Sequence, residues 1–246
     1  MLYIAKKTMR NICKHSILKG GKITPLILPF KATNGLGLTN PSILKIKNRL
    51  YVNIRHVQYS LYHSEKDQKF QSPYGPLTYL NPEDDVTLTT RNFICELVPD
   101  SLEIINYKEV DTSMLDVKPI WEFVGLEDAR LVNWDDKMQL TGVRRDTTTN
   151  GVGRMELSEL KNNFKEISRI RIEPIDKNSY CEKNWMPILD IPYHYVKWTT
   201  PTEIVKYDIK TKKTSQVCLV EQNVSFNNFW ISRYNSFYIN NAYFIF

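Results

Sequence analysis

No stretch of this sequence approaches the roughly 20 apolar residues that a membrane-spanning helix needs. The N-terminal run MLYIAKKTMRNICKHSILKGG has no continuous apolar segment and no small-residue cleavage site, so a secretory signal is not expected either. Both absences point to a soluble, cytoplasmic protein with no membrane partner. Cysteine is scarce: Cys13, Cys95, Cys181 and Cys218 lie far apart without a C-x-x-C pair, which excludes a compact disulfide scaffold and implies reduced thiols. His15, His56, His63 and His194 show no ligand spacing, and Asp135-Asp136 reads as a solvated turn, so no metal site is expected. Gly151-x-Gly153 is too short for a dinucleotide or phosphate-loop fingerprint, and no nucleotide cofactor is implied. Lys and Arg outnumber Asp and Glu by 33 to 27, a formal charge of +6 with a pI near 9.0. They form no long basic run and no recognition-helix or RNA-binding motif, which favours an anionic small ligand over nucleic acid. Helical periodicity is nearly absent.

What the sequence does contain is a repeated strand pattern, with 42% hydrophobic residues over 246 positions to build a core. After a basic N-terminal arm, residues 1–35, SILKIK and RLYVNIRHVQYSLYH read as a hairpin turning at Lys47-Asn48. A polar insertion, residues 64–85, separates them from LTTRNFICELV and SLEIINYKEV, which flank a turn at Pro99-Asp100. A second set follows: ARLVNW, a turn at Asp135-Asp136, KMQLTGVRR, the TTTNGVG loop, RMELSEL and KEISRIRIEP. A third comprises WMPILDI, YHYVKWT, TEIVKYDI and TSQVCLVE. Sets of four short strands, each opening on a polar cluster, predict an all-β protein of β-propeller type with blades at residues 36–113, 114–175 and 176–222. Residues 223–246 carry one charge, Arg233, among aromatics and asparagines, and read as an irregular or truncated end.

In a propeller the first strand of every blade lies innermost, so the clusters that lead into those strands converge at one face. They are Thr39-Asn40-Pro41-Ser42, Gly125-Leu126-Glu127-Asp128-Ala129-Arg130 and Glu182-Lys183-Asn184-Trp185-Met186-Pro187. The second strands add Arg55 and the pair Arg144-Arg145. Arg144 and Arg145 are adjacent on a strand and point to opposite faces, so one lines the pocket and the other is solvated. Ionised groups crowded in this way lose hydration unless they pair or meet a ligand. The expectation is a small-molecule pocket.

These motifs resemble those of glycoside hydrolase family 130, the mannoside phosphorylases and related enzymes, which are five-bladed β-propellers. GLEDARL from Gly125 is similar to that family's G-x-E-D-P-R, with Ala129 in place of the proline, and EKNWMPI from Glu182 is similar to its E-K-N-W-x-P-F. The likeness runs from N-P-S-I at Asn40 to the third blade near Glu221, and about three of five blades are present. It implies inverting cleavage of a mannose-containing oligosaccharide, with Asp128 as the acid and Glu127 beside it, no cofactor, and inorganic phosphate as co-substrate. Arg145, Arg154 and Lys183 are the candidate phosphate cradle, since cationic forks and points suit phosphate oxygens. Arg154 reads equally as a sheet-edge charge and Lys183 as a partner for Glu182. Asn40, Arg55, Arg130, Glu182 and Asn184 are saccharide-binding candidates, although Asn40 and Asn184 can equally close turns. If water replaces phosphate, an inverting hydrolase needs a second carboxylate, and Glu182 is the candidate. A glycan-binding propeller without catalysis needs neither an acid nor an anion cradle.

Overall fold

Residues 13–33, 37–57, 59–63, 70–71, 77–80 and 87–221 are described by a computed structural model. The alternating segments become strands: β1 (Leu38–Ile46), β2 (Arg49–Val57), β3 (Ser60–His63), β4 (Phe70–Gln71), β5 (Leu77–Leu80), β6 (Leu88–Leu97), β7 (Ile104–Glu109), β8 (Phe123–Val124), β9 (Glu127–Trp134), β10 (Lys137–Arg144), β11 (Arg154–Lys161), β12 (Lys165–Ile172), β13 (Met186–Pro187), β14 (His194–Thr199), β15 (Thr202–Asp208) and β16 (Lys213–Val220). Three antiparallel meanders dominate. The first sheet has the order β1-β2-β6-β7, the second β9 to β12, and the third β13 to β16. The protein is therefore all-β, as the repeated pattern predicts.

The strands do not match the sequence reading everywhere. Ser60–His63 does not extend β2 but pairs with β5 in a separate sheet, β3-β5-β4, and β4 and β5 lie inside the stretch expected to be a polar insertion. β8 joins β6 in parallel, Leu88 opposite Phe123, and brings the end of the long connection back to the first sheet just before Gly125. WMPILDI yields only the two-residue β13. Residues 26–33 fall within the expected arm, yet Leu28 is buried on the first sheet beside Val52, Phe93 and Cys95, and His56 Nε2 meets the Thr33 carbonyl at 3.2 Å. Among the described residues no helix is long and apolar enough to cross a membrane. The end segment 223–246 lies outside the described residues.

Burial follows strand position. β2 and β11 are covered on nearly every residue, so the first and second sheets are packed on both faces along an interior strand, whereas β7 is half exposed and β16 is largely exposed. The β9–β10 hairpin turns through Asp135 and Asp136, both with positive φ (52° and 57°), the arrangement of a two-residue type I′ turn. Two apolar layers join the sheets. Leu44 and Ile94 of the first sheet pack with Leu131, Leu140 and Leu160 of the second. Trp134, Met155 and Ile172 of the second pack with Trp185, Tyr195 and Val205 next to or within the third.

Trp134 is central to the second layer: its ring lies 5.4 Å from that of Tyr195, edge to face, and Nε1 donates to the Ile188 and Leu189 carbonyls at 3.2 Å. Trp134→Ala is expected to lower unfolding stability by about 3–5 kcal/mol through lost burial and a residual cavity. Val217→Ala, on the exposed face of β16, is expected to stay within about 0.5 kcal/mol. Urea midpoints measure both, and comparable losses would mean that the second and third sheets are not joined through Trp134.

Candidate functional site

The leading segments of the three sheets share one backbone device. Asn40, Asp128 and Asn184 have φ of 46°, 51° and 62°, and two residues beyond each a pair forms with the second strand: Ser42 with Asn53, Arg130 with Thr141, Met186 with Val196. Asn and Asp tolerate the left-handed region better than other side chains with a Cβ. In the first two sheets the device is a bulge that places two residues opposite one. Opposite Asp128 and Ala129 stands Gly142, where a Cβ would come within 2.5 Å of the Glu127 carbonyl oxygen. The three segments lie side by side: Leu131 N donates to Ser42 Oγ at 3.0 Å, and Arg130 Nη1 donates to the Trp185 carbonyl at 3.1 Å.

Buried polar side chains hold the Gly125–Ala129 stretch from behind. Asn92 Nδ2 donates to the Leu126 carbonyl at 2.9 Å, Asn53 Nδ2 donates to the Ala129 carbonyl at 3.0 Å, and Asp146 Oδ2 accepts from Gly125 N at 2.8 Å. Asn53 also donates to Asn92 Oδ1 at 2.9 Å. The amide donors are thus spent on the backbone that carries the acidic pair and on each other, while Asn53 Oδ1 has no partner among the described residues.

Arg55 holds that pair. Its Nη1 donates to Asp128 Oδ1 at 2.5 Å and its Nη2 meets Glu127 Oε2 at 3.3 Å, while Tyr59 Oη and Thr90 Oγ1 accept its remaining N–H groups. Asn40 Nδ2 donates to the same Asp128 oxygen. Glu127 Oε1 is buried and has no hydrogen-bond partner among the described residues. Burial raises the Glu127 pKa above the usual carboxylate range and Asp128 adds to this, with Arg55, Arg145 and Lys183 opposing. Burial also pushes the Tyr59 phenol up to about 12.

Three cations border this pair without an ion pair to any described carboxylate. Arg145 stacks between Phe123 and Tyr180, 5.0 and 5.6 Å from the ring centroids, and donates to the Gly151 carbonyl at 2.9 Å. Lys183 is exposed. Arg130 makes the one bond to Trp185, and burial lowers its pKa against the pull of Asp128. Asn184 forms no side-chain hydrogen bond with a described residue.

Other candidates are committed elsewhere. Arg154 donates to the Gly153, Ser179 and Lys177 carbonyls at 2.9, 2.8 and 3.0 Å and pairs with Glu173, so four of its five N–H groups are engaged within the protein rather than turned toward the acidic pair. Glu182 accepts from Trp185 Nε1 at 3.0 Å and pairs with Lys197, not Lys183. Arg144 is not solvated: it is buried between Glu156 and Asp146. The sequence reading missed Asn53, Asn92 and Asp146. Asn53 offered a signal, because it lies two residues before Arg55 and therefore on the same face of the strand. No described group of His, Cys, Asp and Glu is arranged to hold a metal. No protein-family model matches this chain, and no curated protein matches it.

The state of Glu127 is measurable through stability. Its raised pKa means that the folded protein holds the proton more tightly than the unfolded chain, so its contribution is fully present near the unfolded value of 4.5 and is lost as pH rises through the folded pKa. Glu127→Gln cannot ionise. Its stability relative to the native protein is expected to grow with pH above about 4.5, by roughly 1.4 kcal/mol for each tenfold gain in proton affinity. Denaturant titrations from pH 4 to 9 measure the difference, and a difference that does not change with pH would mean Glu127 titrates normally.

Proposed function

We propose that this pocket binds a saccharide together with an oxyanion, and that the three sheets are consecutive blades of a five-bladed propeller acting as an inverting glycoside phosphorylase on a mannose-containing oligosaccharide. The observation that carries this reading is the coexistence, around one acidic pair, of a buried carboxylate oxygen on Glu127 and three cations, Arg130, Arg145 and Lys183, none of them with a hydrogen-bond or ion-pair partner of opposite charge among the described residues. A saccharide supplies hydroxyl donors for the first. A phosphate satisfies the second.

Cleavage through an oxocarbenium-like transition state needs a proton on the leaving oxygen and a nucleophile at the anomeric carbon. Arg55 and Asn40 occupy Asp128 Oδ1, leaving Oδ2 to face the glycosidic oxygen and deliver the proton. Glu127, reluctant to ionise in its buried position, is the neighbour from which that proton is replenished. Asn184, whose side chain bonds no described residue, meets sugar hydroxyls. Arg145 and Lys183, with Arg130, orient phosphate for attack. Commitment of Glu182 to Trp185 and Lys197 disfavours a hydrolase that would use it as base.

Phosphate at 100 times its dissociation constant is expected to stabilise the protein by about 2.7 kcal/mol at fixed ionic strength. Arg145→Ala and Lys183→Ala are each expected to weaken that thermal shift. Arg171→Ala, on the outer strand β12, is expected to leave it intact. Phosphate-dependent release of mannose 1-phosphate from manno-oligosaccharides is expected to fall by about 10² to 10⁴-fold in Asp128→Asn. Sugar release that ignores phosphate would replace this reading with hydrolysis, and saccharide binding without turnover would replace it with a glycan-binding role.

A further inference from the structure

The described part of the chain ahead of β1, residues 13–33, is moored to the first sheet by a few side chains and leaves several large apolar ones in water. Leu28 is buried with Val52, Phe93 and Cys95, and Leu26 and Ala32 pack on the same cluster. Ile27, between the two inward leucines, is 73% exposed, and Phe30 is 71% exposed. Residues 13–18 are helical and close in a Schellman motif: Gly20, at φ 82°, donates from N to the Ile17 carbonyl at 3.0 Å, and Gly21 N donates to the Ser16 carbonyl at 2.8 Å. Cys13 and Ser16 are partly covered, whereas Lys14, Ile17 and Leu18, at i, i+3 and i+4, share an exposed face.

Exposed apolar residues are ordinary when they stand singly, but Ile17, Leu18, Ile23, Ile27 and Phe30 fall within one short segment. Their neighbours prevent them from turning inward. Leu26 and Leu28 already occupy the side of the segment that meets the first sheet, and the closed helix end fixes the direction of Ile17 and Leu18.

Charge in this segment has one sign. Lys14, Lys19, Lys22 and Lys31 are exposed, and none pairs with a described carboxylate. The sequence has no Asp or Glu before Glu65, whereas eleven of its 33 Lys and Arg precede it. From Glu65 onward the 27 carboxylates outnumber the remaining bases, so the positive charge of the chain is concentrated at this end. Lysines interleaved with exposed apolar side chains, and no acid among them, are the composition of a segment that lies in the interface of an anionic bilayer.

We propose that residues 13–33 dock on an anionic lipid bilayer, with Ile17, Leu18, Ile27 and Phe30 entering the acyl boundary and the lysines meeting lipid phosphates. A fluid interface accepts side chains that project from a helical turn and from an extended segment alike, whereas a folded acidic protein needs a complementary shape. The lack of a spanning helix among the described residues bears on passage across a bilayer and not on contact with its surface, and such contact replaces the expectation of no membrane partner. This docking does not depend on what the acidic pocket binds.

Cosedimentation of the full chain with vesicles of equal parts phosphatidylcholine and phosphatidylserine is expected to show saturable binding that weakens as salt rises, and vesicles of phosphatidylcholine alone are expected to retain little protein. Ile27→Ser combined with Phe30→Ser, and separately Lys19→Glu combined with Lys22→Glu, are each expected to lower the affinity about tenfold or more. All four side chains are exposed, so the fold is expected to persist, and urea midpoints check this. Ile105→Ser, at an exposed position of β7, is expected to bind as the native protein does. No binding to the mixed vesicles, equal binding to both kinds, or an affinity unchanged in either pair of substitutions would overturn the proposal. Loss in the lysine pair alone is one such outcome, and it would mark a purely charged surface suited to an acidic protein.

Discussion

One guanidinium from the first sheet fixes two carboxylates of the second, and the junction between the sheets depends on it. Glu127 and Asp128 are consecutive and would repel each other in a site that excludes much of the surrounding water. Two like charges about 4 Å apart at an effective dielectric near 20 oppose each other by about 4 kcal/mol, a large fraction of a domain's total stability. Arg55 offsets part of that penalty and is itself tolerable in a buried position because it finds two carboxylates, a phenol and a hydroxyl. The sheets thus meet both through these polar contacts and through an apolar layer that includes Leu44, Leu131 and Leu140.

The left-handed residue that begins each sheet is what aims the side chains of this junction. A continuous strand would send successive side chains to alternate faces, so Glu127 and Asp128 could not both reach Arg55. The bulge at Asp128 and Ala129 breaks the alternation, and Gly142 allows it by leaving space beneath. Backbone conformation and charge placement are here one property, because the same residue types that accept a positive φ also carry the hydrogen-bonding groups.

Much of the strand order was legible in the sequence, since alternation and turn chemistry are local. The three sets of four strands and the turns at Lys47-Asn48 and Asp135-Asp136 follow from residues adjacent in the chain. The grouping of Asn40, Arg55, Glu127 and Asp128 was also accessible once the sets were aligned on their leading clusters. What the residues could not reveal was partner choice. Arg154 and Arg145 look alike as letters, yet one meets a ring of carbonyls and the other two aromatic faces, and only the folded loops decide which. The parallel pairing of β8 was equally hidden, because two residues carry no periodicity.

At Arg154 the demand on the side chain is for shape as much as for charge. Three carbonyls and a carboxylate surround it from different directions, and a planar fork with five N–H groups can address them together. A lysine has the same charge but one nitrogen, so it reaches some of those oxygens and leaves the others without a donor. The loop that carries Lys177 and Ser179, and the Glu182–Asn184 stretch just beyond it, are therefore moored by a geometry rather than by an attraction. Exchange of one basic residue for another would preserve every electrostatic tally at this point and still set the loop adrift.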